Sequence, residues 1–137
     1  MGYDYDDPKR LYSDLYLIEP EIKIELAQRF SEGSEQLRQL LLLLWEKKIE
    51  TVSCCSGIRG NHPDKKYNPL AHVYIRVTPE PQDLIFKFVS ALQTNKFKVA
   101  VEKESLCIII QHKRKSLPKD KSDKFFGEIK QMFESVI

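Results

Sequence analysis

The spacing of apolar residues along the chain predicts helices that alternate with short strands. The strongest pattern lies in residues 35–48, where apolar side chains recur every three or four positions: Leu37, Leu40, Leu41, Leu44 and Trp45. This spacing is typical of a helix with one buried face. Ser34 precedes it, and its hydroxyl can accept a hydrogen bond from an unpaired N–H at the helix start. Similar spacing predicts a helix over 20–30, a helix opened by residues 78–81 with its apolar stripe over 84–92, and a last helix after the basic loop 113–121 with its apolar residues over 125–133.

Alternation of apolar and polar residues predicts four strands, over 49–54, 72–77, 97–101 and 106–111. Residues 103–105 predict a tight turn between the last two strands. Residues 57–70 carry glycine, asparagine and proline, and they predict a long loop. Residues 1–18 show no clear periodicity, and we interpret them as an N-terminal arm or a short helix.

Together these elements predict an α/β (α+β) fold with one domain over residues 1–137. We expect two layers: a four-stranded, mostly antiparallel sheet with the helices mainly on one face. The order helix–strand–strand occurs twice, over 37–77 and over 84–111, which suggests an internal αββ repeat. Chance similarity is the alternative, because helix-to-strand junctions share composition.

Composition narrows the class of protein only a little. The 137 residues include 22 basic and 20 acidic side chains, for a net charge of +2, which neither requires nor excludes a nucleic-acid partner. The longest uninterrupted apolar run, Leu40 to Trp45, is too short to cross a membrane. The first residues are acidic, unlike a secretory signal. With three cysteines and no export signal, we expect reduced thiols, a cytoplasmic location and no membrane partner.

Small hydroxyl and thiol side chains crowd the end of the first predicted strand, in the segment Thr51 to Gly57. Strand ends are frequent ligand sites in α/β proteins. We therefore predict a ligand-binding site that combines this segment with a histidine of the next strand: Ser53, Cys55, Ser56, Gly57 and His72. The alternative is plain packing, in which Gly57 supplies an unusual backbone angle.

Metal binding and nucleophilic catalysis receive less support. Cys54, Cys55, His62 and His72 are ligand types for zinc, but their spacing matches no standard zinc pattern, and we expect no metal. Cys55 with His72 or His112 as base would be a nucleophilic pair, but no catalytic signature accompanies them. Whether the protein is an enzyme therefore stays open.

Basic residues predict a nucleic-acid contact on the polar face of the sheet and in the loop after it. The predicted residues are Arg59, Tyr74, Arg76, Lys113, Arg114 and Lys115. Lysine and arginine bind phosphates, and an aromatic ring can stack on an unpaired base. A solvated loop is the alternative for the last three.

The stretch Thr51–Val52–Ser53–Cys54–Cys55–Ser56–Gly57–Ile58–Arg59 resembles a motif of the tRNA wybutosine-synthesising methyltransferases. Ser53, Cys55, Ser56 and Gly57 match family positions, whereas Cys54 replaces a serine and Ile58 stands where the family has arginine. The order of elements is similar over residues 37–118. The resemblance implies S-adenosylmethionine as methyl donor and tRNA as substrate, although the chain lacks an insertion expected of the family between its first two strands.

Two hypotheses for function follow. The first is an RNA-associated domain, related to a tRNA-modifying methyltransferase that uses S-adenosylmethionine. The second is a module that binds another protein, as a regulator or inhibitor of a larger complex. Its support is the acidic N-terminal arm, which carries Tyr3, Tyr5, Tyr12 and Tyr16, because tyrosine is favoured at protein interfaces. The sequence predicts no oligomeric state.

Overall fold

The computed structural model describes residues 19–58, 70–104, 106–114 and 116–137, together with the backbone of residues 3–4. Four helices are present in these ranges: α1 (Pro20–Phe30), α2 (Glu35–Glu46), α3 (Gln82–Thr94) and α4 (Lys119–Glu134). The strands are β1 (Tyr3–Asp4), β2 (Thr51–Cys55), β3 (His72–Arg76), β4 (Val99–Glu102) and β5 (Cys107–Gln111). The predicted helices and the four predicted strands are confirmed, with small shifts at their ends.

All strand pairs of the sheet are antiparallel, in the order β1–β2–β3–β5–β4. The four predicted strands are β2 to β5. The two-residue β1 comes from the segment predicted as an arm or short helix, and it pairs with β2. The remainder of that arm lies outside the described residues.

The sheet order is consistent with the predicted αββ repeat. The units α2–β2–β3 and α3–β4–β5 each contribute a strand pair, and the two pairs meet where β3 bonds to β5. In each unit the first strand lies outside the second, and the second strand pairs with the second strand of the other unit. β2 and β4 are therefore the equivalent outer strands of the two halves.

The helices pack on one face of the sheet, and the core lies between the two layers. Because residues paired across antiparallel strands share a face, Val73, Ile75, Ile108 and Ile110 point toward the helices. All are buried, together with the apolar faces of the helices: Leu37, Leu40, Leu41, Leu44, Trp45, Phe88, Phe126, Ile129 and Phe133. The indole N–H of Trp45 donates to Thr51 Oγ1 at 3.0 Å, so its polar atom is satisfied.

The opposite face, called the open face below, carries the alternate residues of each strand: Ser53, Cys55, His72, Tyr74, Arg76, Ala100, Glu102, Cys107, Ile109 and Gln111. Val101 and Leu106 alternate with polar residues as core positions do, but neither contributes to the core. Val101 is 60% exposed because it lies on the outermost strand, and Leu106 is 58% exposed because it belongs to the turn before β5.

Ser34 caps α2, as its position predicted, and it also joins α2 to α4. Its Oγ accepts from Leu37 N at 3.2 Å and donates to Asp123 Oδ1 at 2.8 Å. We expect Ser34→Ala to lower the free energy of unfolding by about 1–2 kcal/mol, because it leaves a buried N–H without its cap. Urea denaturation would measure this loss. Ser135→Ala, at the exposed end of α4, is the control and should change stability little.

Candidate functional site

Gly57 occupies a position where no other residue fits. Its φ is +71°, and a Cβ added there would lie 2.6 Å from the backbone nitrogen of Ala71. The carbonyl of Gly57 accepts a hydrogen bond from Leu117 N at 2.7 Å. The segment after β2 is therefore held between the start of β3 and the residues that lead into α4. The unusual backbone angle predicted for Gly57 is confirmed.

Ser56 and Cys55, two members of the predicted ligand-binding set, are fully buried. The carbonyl of Ser56 accepts from Ser122 Oγ at 2.6 Å, and its hydroxyl accepts from Ile58 N at 3.4 Å. Cys55 Sγ accepts from Gly57 N at 3.3 Å. These contacts anchor the end of β2 to α4 and to its own turn. A ligand-binding role for Cys55, Ser56 and Gly57 stays a prediction, and their observed contacts are structural.

Burial also makes Cys55 a poor nucleophile. It raises the pKa of the Cys55 thiol to about 12, so the reactive thiolate is scarce at neutral pH. His72, the base considered for Cys55, lies directly opposite it across β2 and β3. Both ring nitrogens of His72 have other partners, because Nδ1 is 2.7 Å from the carbonyl of Leu70 and Nε2 is 2.9 Å from Ser53 Oγ.

The structure does bring Ser53 and His72 together. A carbonyl only accepts hydrogen bonds, so the contact with Leu70 places the proton of a neutral His72 ring on Nδ1. Nε2 then accepts from the Ser53 hydroxyl. The ring of Tyr74 covers His72, with ring centroids 4.5 Å apart. The pair lies on the open face, and Ser53 is the more exposed partner, since His72 is buried.

Replacing Ser53 measures this hydrogen bond. We expect Ser53→Ala to cost about 1–2 kcal/mol of folding free energy, because a buried ring nitrogen of His72 loses its donor. Chemical denaturation of the variant beside Ser90→Ala, an exposed serine on α3, gives the comparison. Equal stability of the two variants would show that the bond to His72 contributes nothing.

Glu32, in the turn between α1 and α2, is expected to make the folding stability of the protein depend on pH. Burial raises the pKa of its carboxyl from 4.5 to about 7. The folded state therefore binds more protons than the unfolded state between these two values. Stability contributed by protonated Glu32 is fully present below about pH 4.5 and is lost as pH rises through about 7. Glu32→Gln should flatten this decline when unfolding is compared at about pH 5 and about pH 8.

A groove on the open face crosses β4 and β5. On this face it is lined by Ala100 and Ile109, which pair across the two strands, and by Gln111 and two lysines, Lys98 and Lys113. Its remaining lining residues are Gln93, Phe97, Val99 and His112. The volume of the groove is about 560 Å³. Alternation along the strands directs Lys98 and Ala100, and Ile109, Gln111 and Lys113, to the same side. We call these five residues the cationic groove.

A second cavity of about 330 Å³ adjoins the cationic groove, and His112 lines both. Arg114, Lys121 and Lys124 line this second cavity together with Glu128, which lies one turn after Lys124 on α4. The backbone N–H of Arg114 donates to His112 Nδ1 at 2.9 Å, so the neutral ring of His112 carries its proton on Nε2. Its orientation is fixed by the edge-on contact with Phe125, at a centroid distance of 5.0 Å.

The two lysines of the cationic groove lie close enough to repel each other. The contact with Lys98 lowers the pKa of the Lys113 ammonium, and the positive charge of Lys98 adds to this effect. Both side chains are exposed. A bound anion between two adjacent ammonium groups would reduce their repulsion.

The predicted nucleic-acid residues are only partly brought together. Lys113 and Arg114 line the two adjoining cavities. Tyr74 lies next to the groove, where its hydroxyl donates to Gln111 Oε1 at 3.4 Å. Arg76 lies at the far end of β3, four residues and about 13 Å along the strand from His72. Its Nε lies 3.7 Å from Glu50 Oε2. Arg59 and Lys115 lie outside the described residues.

The predicted set omitted several residues that line these cavities: Lys98, Gln111, His112, Lys121 and Lys124. The pairing register of the β4–β5 hairpin could have identified Lys98 as a residue beside Gln111. Val99 pairs with Ile110, so Lys98 and Gln111 follow as the next opposed residues. Lys121 and Lys124 lie one turn apart on the first turns of α4, and helical spacing alone places them on one side.

No group of three metal-ligating side chains occurs within the described ranges. In the same part of the chain, no helix has both the length and the apolar content needed to cross a membrane. The chain matches no protein-family model, no curated protein and no solved structure. Its resemblance to the wybutosine-synthesising methyltransferases stays a prediction from residues 51–59.

Proposed function

We propose that this protein is an RNA-binding domain that holds the phosphate backbone in the cationic groove and in the adjoining cavity. The observation that carries the proposal is the convergence of basic side chains from three parts of the chain. Lys98 immediately precedes β4, Lys113 and Arg114 follow β5, and Lys121 and Lys124 belong to α4. Their sequence separation means that the fold assembles the cluster.

The shape of the site favours single-stranded segments over a duplex. Cys55, His72 and Cys107 of the open face are buried, but Ala100 is exposed and Ile109 and Gln111 are partly exposed, so the sheet offers a shallow platform over β4 and β5, where the cationic groove lies. Unpaired bases can lie on such a platform, stack on an aromatic ring and form hydrogen bonds with side-chain amides. Tyr74 and Gln111 are the aromatic and amide groups beside the lysines.

The salt dependence of RNA affinity tests the proposal. Fluorescence anisotropy with a labelled single-stranded RNA and with tRNA should show binding at low salt that weakens steadily as salt is added. If all five basic side chains contact phosphates, the slope of log K against log salt should reach about −3.5 for a single strand. No binding at low salt, or a flat salt response, would contradict the proposal.

Methyl transfer from S-adenosylmethionine is a further proposal, and its support is the resemblance of residues 51–59. Isothermal titration of the protein with S-adenosylmethionine, with and without tRNA, tests it separately. RNA binding without a response to S-adenosylmethionine would favour a binding domain over an enzyme.

One structural observation concerns the alternative, a module that binds another protein through its N-terminal arm. Residues of the arm add β1 to the outer edge of β2. A deletion of residues 1–16 would therefore remove a strand as well as the tyrosines. Such a deletion should leave RNA affinity unchanged if the cationic groove is the binding site.

A further inference from the structure

Within the described ranges no strand pairs with the outer edge of β4, so another strand can add there. β4 is the last strand in the order of the sheet, and three of its residues are exposed: Ala100, Val101 and Glu102. At the other end of the sheet, the equivalent strand β2 is covered by β1. The two halves of the sheet thus differ in the covering of their outer strands.

The hydrogen-bond pattern shows which groups of β4 point outward. His112 N donates to Ala71 O and Val77 N donates to Leu106 O, each at 2.8 Å. Bonded pairs alternate along antiparallel strands, so Ile108 and Ile110 bond to β3, whereas Cys107 and Ile109 bond to β4. Their partners on β4 are Glu102 and Ala100. The N–H and C=O groups of Val99 and Val101 are therefore directed away from the sheet.

We infer that two copies of this chain pair through their β4 edges, antiparallel, with Ala100 facing Ala100 of the second copy. In this register Val99 of one copy exchanges hydrogen bonds with Val101 of the other, and the reverse pair does the same. Every outward backbone group of the two valines is then used. The small side chain of Ala100 suits the close approach of a pair that exchanges no hydrogen bonds.

The side chains of β4 are complementary in the same register. Lys98 falls opposite Glu102 of the second copy, and Glu102 opposite its Lys98, so two opposite-charge pairs form on the open face. Val99 and Val101 meet on the helix side, which covers the exposed Val101. Charged residues on an edge strand ordinarily oppose pairing, but in this register residues of opposite charge face each other.

The pairing has a consequence for the open face. A two-fold axis between the two alanines runs perpendicular to the sheet, so both copies present their open faces on the same side. Two cationic grooves would then lie on one continuous surface. The backbone hydrogen bonds of the dimer do not involve RNA, whereas Lys98 belongs both to the cationic groove and to the Lys98–Glu102 pairs, so the association is measured without RNA.

Charge reversal separates this dimer from other modes of association. Light scattering after size exclusion, over a range of protein concentrations without RNA, should show a wild-type mass that rises toward that of a dimer. Glu102→Lys should be monomeric, because it places lysine opposite lysine. The double variant Lys98→Glu with Glu102→Lys restores opposite charges and should recover the dimer. Glu46→Lys, at the exposed end of α2, is the matched control and should associate like the wild type.

Circular dichroism first establishes that each variant is folded, since all the substituted side chains are exposed. A wild-type protein that stays monomeric at every concentration would overturn the dimer. Association that survives Glu102→Lys, or that the double variant fails to recover, would overturn the β4 register.

Discussion

Gly57→Ala is expected to destabilise the protein by roughly 3–5 kcal/mol. Two costs combine. The backbone at Gly57 has a φ of +71°, which strains any residue with a Cβ. The added Cβ would also lie 2.6 Å from Ala71 N, a backbone atom that cannot move away without shifting β3.

Gly33→Ala is the matched control for this prediction. Gly33 also has a positive φ, of +93°, but the nearest atom to an added Cβ is the end of the Ile58 side chain at 3.8 Å. Gly33→Ala should therefore carry the strain without the clash, at about 1–3 kcal/mol. Denaturant unfolding of both variants makes the comparison. A loss at Gly57 no greater than the loss at Gly33 would show that the end of β2 is not held as described.

The double variant Lys98→Glu with Lys113→Glu is expected to weaken RNA binding on the order of 100-fold at low salt. Each substitution replaces attraction to a phosphate with repulsion, a change of about 2 kcal/mol per site before screening by salt. The slope of log K against log salt should also become shallower by about 1.4, because two phosphate contacts are lost. Anisotropy titrations with the same labelled RNA would measure both quantities.

A control of equal charge makes this result specific to the groove. Arg29→Glu with Lys87→Glu changes the net charge by the same amount on the exposed faces of α1 and α3. We expect this control to lose much less affinity, because its substitutions lie outside the cationic groove. Equal losses in the two double variants would mean that RNA responds to the net charge of the protein and not to the groove.

The fold could be predicted from the sequence because its signals are local. Helical spacing located α2, and the hydroxyl of Ser34 marked where α2 begins. Alternation located the strands and separated the helix side of the sheet from the open face. The edge was harder to predict. Val101 alternates like a core residue, but its exposure follows from the position of β4 at the end of the sheet.

The candidate site was less predictable because it depends on pairings between distant residues. Ser53 and His72 meet through the register of β2 and β3, which is interrupted by an irregularity between Thr51 and Ser53. No tight turn joins these two strands, so the sequence offers no fixed register. The burial of Ser56 depends on Ser122 in α4, a contact between residues far apart in the chain.

The most direct test of RNA binding in the cationic groove locates the RNA on the protein. Nuclear magnetic resonance titration of isotopically labelled protein with a short single-stranded RNA would follow each backbone amide. We predict that the amides of Lys98, Ala100, Ile109, Gln111 and Lys113 shift most, with smaller changes at the start of α4. Shifts confined to α1 and α3, or none at a concentration where anisotropy detects binding, would contradict it.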